Sequence, residues 1–576
     1  MSWQDDYIRW NEFEDLEPHL RKQLDEIAEN ENALEEAFHK PLSFGTGGMR
    51  GELGPGTNRM NLYTVRKAAE GLAKYIENQG EEAKQNGLVV AHDSRHMSPE
   101  FSLETAKVMG AHGIKTYLFT SLRPTPELSF AVRHLGTAAG VVVTASHNPP
   151  EYNGFKVYNE DGGQVPPAQA EEIVELVNAV ENELAIDVLE KEELEKQELL
   201  KWIDEEVDQA YLEKLQTISL NPEVIEQQAN KLKIVFTPLH GTALNPVVNG
   251  LEKLGFKQVT VVDEQAKPDP EFSTVASPNP EEHQAFTMAI EYGKKVDADI
   301  LIGTDPDADR LGVAVKGDDG EYTVLTGNQL GGLMLDYILS NTPYLPENGI
   351  MIKTIVTSEL GRAVADHYGV ETLDTLTGFK FIGEKIREFE QSGKHQFLFG
   401  YEESYGYLIR DFARDKDAVQ SALMASEMAA YWKSKGKTLF DALEMIYERQ
   451  GYYLEDLKSL TLKGISGTEQ IEGIMNDFRE RPLEKVGDIS VVAVEDYASS
   501  ERTHLADGST DEIDLPKSNV VKFLLEDDCW CCLRPSGTEP KIKFYFGVRG
   551  DNRRSAEDRL DMVKNAVMSR VDKLIK

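Results

Sequence analysis

Cysteine is scarce in this chain: three residues in 576, all crowded into the run "CWCC" as Cys529, Cys531 and Cys532. That excludes a disulfide framework and the four spaced ligands of a structural zinc site, and predicts reduced thiols on a half-buried strand. Long apolar runs are missing too. No stretch approaches the ~20 residues needed to span a bilayer, and the opening "MSWQDDYIRW" lacks a basic segment followed by an apolar one. A cytoplasmic protein is expected. Basic residues are outnumbered, 61 against 100 acidic ones, for a formal net charge of -39. So negative a surface repels polyanions, which argues against nucleic acid or anionic membrane as partners and requires a locally basic pocket for any anionic ligand. No heptad pattern persists over several repeats, so a monomer or weak oligomer is expected.

What the chain does contain is a repeated alternation of short apolar runs with helical patterns, the signature of strand-helix-strand units. Three sets are legible. The first runs from "GLVVAHDSR" to "AGVVVTASHNP", the second from "LKIVFTPLHGT" to "ADILIGTDPDADR", and the third from "GIMIKTIVTS" to "QFLFGYEESYG". Each closes on an apolar strand that passes into a polar loop, and in sheets of this kind ligands collect beyond the carboxyl ends of strands. A shorter fourth region, with strands near "ISVVAVEDY", "NVVKFLLED" and "KIKFYFGV", carries the loop "RPSGTEPK". The first forty residues read as helices capping the first set. The charge run "EKEELEKQELLKWIDEE" alternates in sign and reads as a solvated helix face.

The loops hold the chemistry. In "TASHNPPEYNGFKVY", Ser146 can carry a covalent group if neighbours stabilise charge and manage a proton; His147 and Asn148 can hydrogen-bond, and Lys156 can serve as acid or base if a cationic site lowers its pKa. The same residues also suit an ordinary turn. In "GTDPDADR", Asp305, Asp307 and Asp309 alternate, so on an extended strand their carboxylates would stand about 6–7 Å apart on one face. Curling the loop at Pro306 onto a divalent cation relieves that repulsion and supplies hard oxygens suited to magnesium. An EF-hand is ruled out, because its sixth position would be Arg310 and its twelfth Lys316. "RPSGTEPK" offers Arg534, Ser536, Gly537 and Thr538 to an anion, with Lys543 on the following strand; "GYEES" offers Glu402 and Ser404 to sugar hydroxyls; "FGTGGMRG" places Arg50 in a glycine-rich bend.

Taken in order, "FGTGGMRG", "TASHNPPEYNGFKVY", "GTDPDADR", "LTGFKF", "GYEESYG", "RDKDA" and "RPSGTEPKIKFY" resemble the α-D-phosphohexomutase superfamily over nearly the whole chain, with the nearest likeness to the longer bacterial phosphoglucomutases. The resemblance implies an α/β protein of four domains: 1–207 and 208–320 with 321–455 as three related mixed-sheet domains, and 456–576 as a C-terminal domain like the TATA-binding-protein fold, around a central cleft. It implies that Ser146 is a phosphoserine sharing magnesium with Asp305, Asp307 and Asp309. Lys156, Arg50, His147 and Arg310 would flank the transferring group. Gly378, Phe379, Glu402, Ser404 and Lys416 would meet the sugar, and Arg534, Ser536, Gly537, Thr538 and Lys543 the non-reacting phosphate. The implied activity interconverts hexose 1- and 6-phosphates, glucose first, with a glucose 1,6-bisphosphate intermediate; mannose or pentose phosphates, a magnesium-dependent phosphatase and a non-catalytic sugar-phosphate sensor are the alternatives. One departure stands out: some members carry a histidine two residues after the sugar-loop serine, where this chain has Gly406.

Overall fold

The computed structural model describes residues 2–45, 47–462, 465–536 and 540–575. The chain forms two compact units, one of Met1–Gly327 with Phe379–Thr438, the other of Asn328–Gly378 with Leu439–Lys576.

In the first unit the strand Leu88–His92 is buried at all five positions and pairs in parallel with Thr116–Phe119 and Ala139–Val143. Such continuous apolar strands need cover on both faces. Helices Leu62–Asn78, Ser98–Ala111 and Thr125–Leu135 provide it. Asn61 caps the first of these in a reciprocal box with Thr64, a device that stabilises a helix start by about 1 kcal/mol. After Ala139–Val143 the chain reverses into the antiparallel strand Tyr152–Asn159, which in turn pairs with Gly48–Glu52. The second set repeats the plan. Ile234–Thr237 lies parallel to Val259–Val261 and Ile300–Thr304, and the last reverses into Leu311–Lys316. In the third set, Gln396–Glu402 likewise reverses into Gly406–Leu408. The three chemistry-bearing loops are therefore hairpin reversals, each leaving the carboxyl end of a set's third strand.

The predicted N-terminal helices are present as Trp3–Glu12, Pro18–Ile27 and Glu31–Phe38, and they bury Trp10, Leu20, Leu24 and Phe38 against Tyr63 and Leu184. The charge run read as one solvated helix face is instead broken. Lys191–Lys196 is helical, Leu200–Ile203 is an edge strand parallel to Thr116–Phe119, and Glu205–Gln216 is helical again. Leu200 and Ile203 are buried, and that burial overrides the alternation of charge around them.

In the second unit Gly349–Thr354 pairs in parallel with Glu371–Thr375. An antiparallel sheet follows, in which Tyr452–Thr461 runs against Lys541–Gly550 over ten residue pairs and then Trp530–Pro535, Val521–Leu525 and Ile489–Asp496 continue in turn. Its core is filled from the helices Ile465–Glu480 and Arg553–Leu574 by Ile474, Phe478, Val563 and Val567. The three cysteines carry buried, reduced thiols, but Trp530–Pro535, the strand that holds Cys531 and Cys532, is not half-buried as predicted: it is an interior strand of this sheet, buried at its first four positions. Among the described residues, no helix is long and apolar enough to cross a membrane.

Candidate functional site

Ser146 sits just beyond strand Ala139–Val143 with φ 51°, a left-handed conformation that a serine holds only under restraint. The restraint is visible. Thr144 Oγ1 accepts the Ser146 N–H at 2.8 Å while donating to Asp93 Oδ2 at 2.6 Å. The buried guanidinium of Arg95 donates to the carbonyls of Ser146 (2.7 Å), Pro149 (2.7 Å), Tyr152 (2.9 Å) and Asn148. One side chain thus gathers four carbonyls of the loop, and Asp93, 3.4 Å from Arg95 Nε, balances its charge. Arg50, exposed on its strand, donates to Asn148 Oδ1 at 2.7 Å.

Opposite the serine lies the aspartate loop. Ser146 Oγ donates to Asp305 Oδ2 at 2.7 Å. Asp305, Asp307 and Asp309 are buried and each offers an oxygen within 4.8 Å of the others. The reversal is made at Ala308, φ 55°, with the N–H groups of Asp309 and Arg310 bonded back to Asp305 Oδ1 at 3.1 and 3.0 Å. Asp307 Oδ2 accepts from Lys156 Nζ at 2.8 Å and from Thr125 Oγ1 at 3.0 Å. Among the described residues Asp307 Oδ1 and Asp309 Oδ1 are buried with no hydrogen bond, which costs about 1–3 kcal/mol each if nothing else binds them. Three hard carboxylates with two orphaned oxygens form a donor set that can hold a metal ion. The electrostatics agree. Burial and then the neighbouring Asp307 and Asp309 push the Asp305 carboxyl well above the usual range, whereas Lys156, acting against burial, holds Asp307 below it. A cation would let all three ionise.

The titratable neighbours diverge. His147 Nδ1 is 3.2 Å from Ser146 Oγ, and burial together with Arg310 and Arg50 depresses its pKa to about 3, so the imidazole is neutral. For Lys156, a lowered pKa was the condition for acid-base work. The opposite holds: burial disfavours the ammonium, but Asp307 and Asp309 outweigh it and raise the pKa. Lys156 enters the site through register, since strand pairing sets it beside Val142 and its strand beside that of Arg50.

Around this pair stand the remaining predicted residues of the first unit. Arg310 Nη1 donates to Glu281 and to the Ser404 carbonyl at 3.2 Å. Lys416 Nζ lies 3.1 Å from Asp309 and 3.0 Å from Asp415, with the Phe379 ring 5.6 Å away. Glu402, buried at the end of its strand, adds to the field that keeps both Arg310 and Lys416 charged. Gly406 has a steric reason for lacking a side chain: a Cβ there would fall 2.2 Å from Lys416 Cδ.

Gly378 (φ 119°) is the last residue of the second unit's first segment, and in that unit's antiparallel sheet Arg534 stands directly across from Lys543, two cations side by side. Arg534 Nη1 donates to the Tyr545 hydroxyl at 3.3 Å, and the Ser536 N–H to the Lys541 carbonyl at 2.7 Å. Gly537 and Thr538 lie outside the described residues. Sequence reasoning missed Thr125, Asp93 and Arg95. The latter two lie in "AHDSR", directly after a buried strand, the same position that flagged the other loops; "PTPE" around Thr125 carries no such signal.

The repeated architecture and the chemistry of its reversal loops define an α-D-phosphohexomutase. Residues 41–184, 209–320 and 326–449 match the phosphoglucomutase/phosphomannomutase alpha/beta/alpha domains I, II and III in turn, and the chain belongs to that family. A phosphoglucomutase of Staphylococcus aureus (strain MSSA476) is 42% identical over 541 residues, 93% of this chain and 94% of that protein. Among solved structures, a phosphoglucomutase/phosphomannomutase family protein from Burkholderia thailandensis superposes with TM-score 0.66 at 19% identity, covering 92% of this chain and 97% of that one. Parafusin from Paramecium, a phosphoglucomutase in its open form, does so with TM-score 0.67 at 16% identity, covering 92% and 95%. These two establish likeness of fold.

Proposed function

We propose that this protein is a phosphoglucomutase, interconverting glucose 1-phosphate and glucose 6-phosphate with Ser146 as the phosphoryl carrier. The observation that carries the reading is the 2.7 Å contact between Ser146 Oγ and a buried three-carboxylate loop, in a chain 42% identical to a phosphoglucomutase. In the proposed cycle the P–O bond to Ser146 Oγ breaks as a hydroxyl of the hexose monophosphate forms a new P–O bond, giving glucose 1,6-bisphosphate. The bisphosphate turns end for end and returns its other phosphoryl group to Ser146. The hydroxyl proton needs an acceptor and the serine oxygen a donor. His147, whose Nδ1 lies 3.2 Å from Ser146 Oγ, and Lys156, whose ammonium can donate, are the residues assigned to these proton transfers. Asp305, Asp307 and Asp309, with an oxygen on Ser146, would hold Mg2+, which when bound neutralises charge on the phosphoryl group. Arg50 and Arg310 add positive charge to the same loops, while Gly378, Phe379, Glu402, Ser404 and Lys416 are assigned to the sugar and Arg534, Ser536, Gly537, Thr538 and Lys543 to the far phosphate. We assign domains at 1–207, 208–320, 321–455 and 456–576, in line with the junctions between the matched segments.

The test is intact-protein mass spectrometry with a coupled assay. Wild type should carry one phosphoryl group removable by phosphatase, and Ser146→Ala should lose both that mass and at least about 10³-fold in turnover. Retention of either would refute the assignment. Running the assay on glucose, mannose and pentose 1-phosphates with a trace of glucose 1,6-bisphosphate settles the sugar, and release of inorganic phosphate matching substrate loss would indicate a phosphatase instead.

A further inference from the structure

The serine and aspartate loops are also joined by a second route, which the proposed cycle does not use. It runs through the turn 269–274 of the second set. There Asp269 accepts the N–H groups of Glu271 (3.0 Å) and Ser273 (2.9 Å), and Phe272 takes φ 48°. A bulky side chain keeps that left-handed conformation only when its surroundings fix it. The surroundings are those of the first set. Phe272 is 1% exposed, and the guanidinium carbon of Arg95 stands over its ring, 5.0 Å from the centroid. The η nitrogens of Arg95 are the ones that gather four carbonyls of the serine loop. Beside this contact Glu271 pairs with His96 Nε2, and the His96 carbonyl accepts from Asn153 Nδ2 at 2.8 Å.

The same turn is tied to the aspartate loop. His240 Nδ1 donates to the Lys267 carbonyl at 2.9 Å, and its Nε2 lies 2.8 Å from the Thr274 hydroxyl. The two residues after His240 lie against Pro306. A Cβ on Gly241 would fall 2.4 Å from Pro306 Cα, and the Thr242 N–H bonds the Pro306 carbonyl at 2.9 Å. We propose that Phe272 is a positioning residue for phosphoryl transfer: its ring, stacked on Arg95, clamps the serine loop to the domain that carries the aspartate loop and so sets the distance from Ser146 to the three carboxylates. The ring's quadrupole attracts the cation, and with Arg95 only 2% exposed, water does little to weaken that attraction. The proposal rests on the mutase reading, and Phe272 acts through Arg95 and not on the reacting atoms.

The test compares two changes at this position in the full chain. Phe272→Leu keeps a buried apolar side chain but removes the ring face; pentafluorophenylalanine placed at position 272 keeps the ring and its shape but inverts the quadrupole. Hydrogen exchange read by mass spectrometry needs no turnover. We expect both changes to speed amide exchange over residues 146–153 at least about tenfold, with helices Leu62–Asn78 and Leu244–Leu254 unchanged. Steady-state kinetics should then show kcat lower by about 10- to 100-fold and KM within about twofold, the split expected when the reacting loop is misplaced and substrate binding is intact. Unchanged exchange over 146–153, equal acceleration in both helices, wild-type behaviour of the fluorinated protein, or an undiminished kcat would each overturn the clamp. Absence of phosphoryl group and turnover in wild type would instead sink the mutase reading, with the exchange data still deciding whether Phe272 holds the loop.

Discussion

Ser146, Lys156, Asp307 and Lys416 show how single side chains acquire their chemistry here. None is unusual by type, but each is placed against a partner that sets its charge. Lys416 is the clearest case, because its position depends on an absent side chain. The space a Cβ would fill at Gly406 is occupied by the Lys416 methylenes, which carry Nζ to Asp309. Gly406→Ala must displace that stem. We expect kcat/KM to fall by about 10- to 100-fold, since small misplacements at a reacting centre are costly, while stability falls by about 1–3 kcal/mol from overpacking. Steady-state kinetics alongside urea denaturation check this, and an unchanged kcat/KM would remove Lys416 from the site.

Among the structural elements, the serine loop is held by its neighbours more than by its own sequence. Arg95, on the loop after Leu88–His92, reaches four carbonyls of the segment following Ala139–Val143. Arg95→Met should destabilise the protein by about 3–5 kcal/mol, because Asp93 is left buried without its cation. It should also lower the phosphorylated fraction, since the left-handed Ser146 loses its restraint; denaturation and intact mass give the two readouts. In the second unit, strand Tyr452–Thr461 presents Glu455 to the hydroxyl of Ser358, at the start of helix Glu359–His367. Burial raises this carboxyl to about 7 from an ordinary value near 4.5. A folded-state pKa above the unfolded one contributes stability that is full below pH 4.5 and lost as pH rises through 7. Replacing the carboxyl with an amide, Glu455→Gln, should flatten the stability profile between those limits and make the variant the more stable form at pH 8. Parallel profiles for the two proteins would contradict the assignment.

For the molecule as a whole, a chain of net charge -39 concentrates Arg50, Lys156, Arg310 and Lys416 around three buried carboxylates. Chelation should abolish turnover and Mg2+ restore it. At about 100 times its Kd, Mg2+ should also stabilise the fold by about 2.7 kcal/mol, a shift that Asp307→Asn should largely remove in thermal denaturation. Much of this plan is legible in the sequence. Buried strands announce themselves as apolar runs, three alternations of the same kind imply repeated domains, and aspartates at every second position mark the loop whose three carboxylates can hold a metal ion. Only the tertiary structure decided the rest. The edge strand Leu200–Ile203 is hidden inside a charge run, Thr125 comes to Asp307 from 182 residues away, and the proton on Lys156 is kept by carboxylates of another domain. Local pattern follows from which residues alternate, whereas charge state and restraint depend on contacts between segments distant in sequence, which no window along the chain contains.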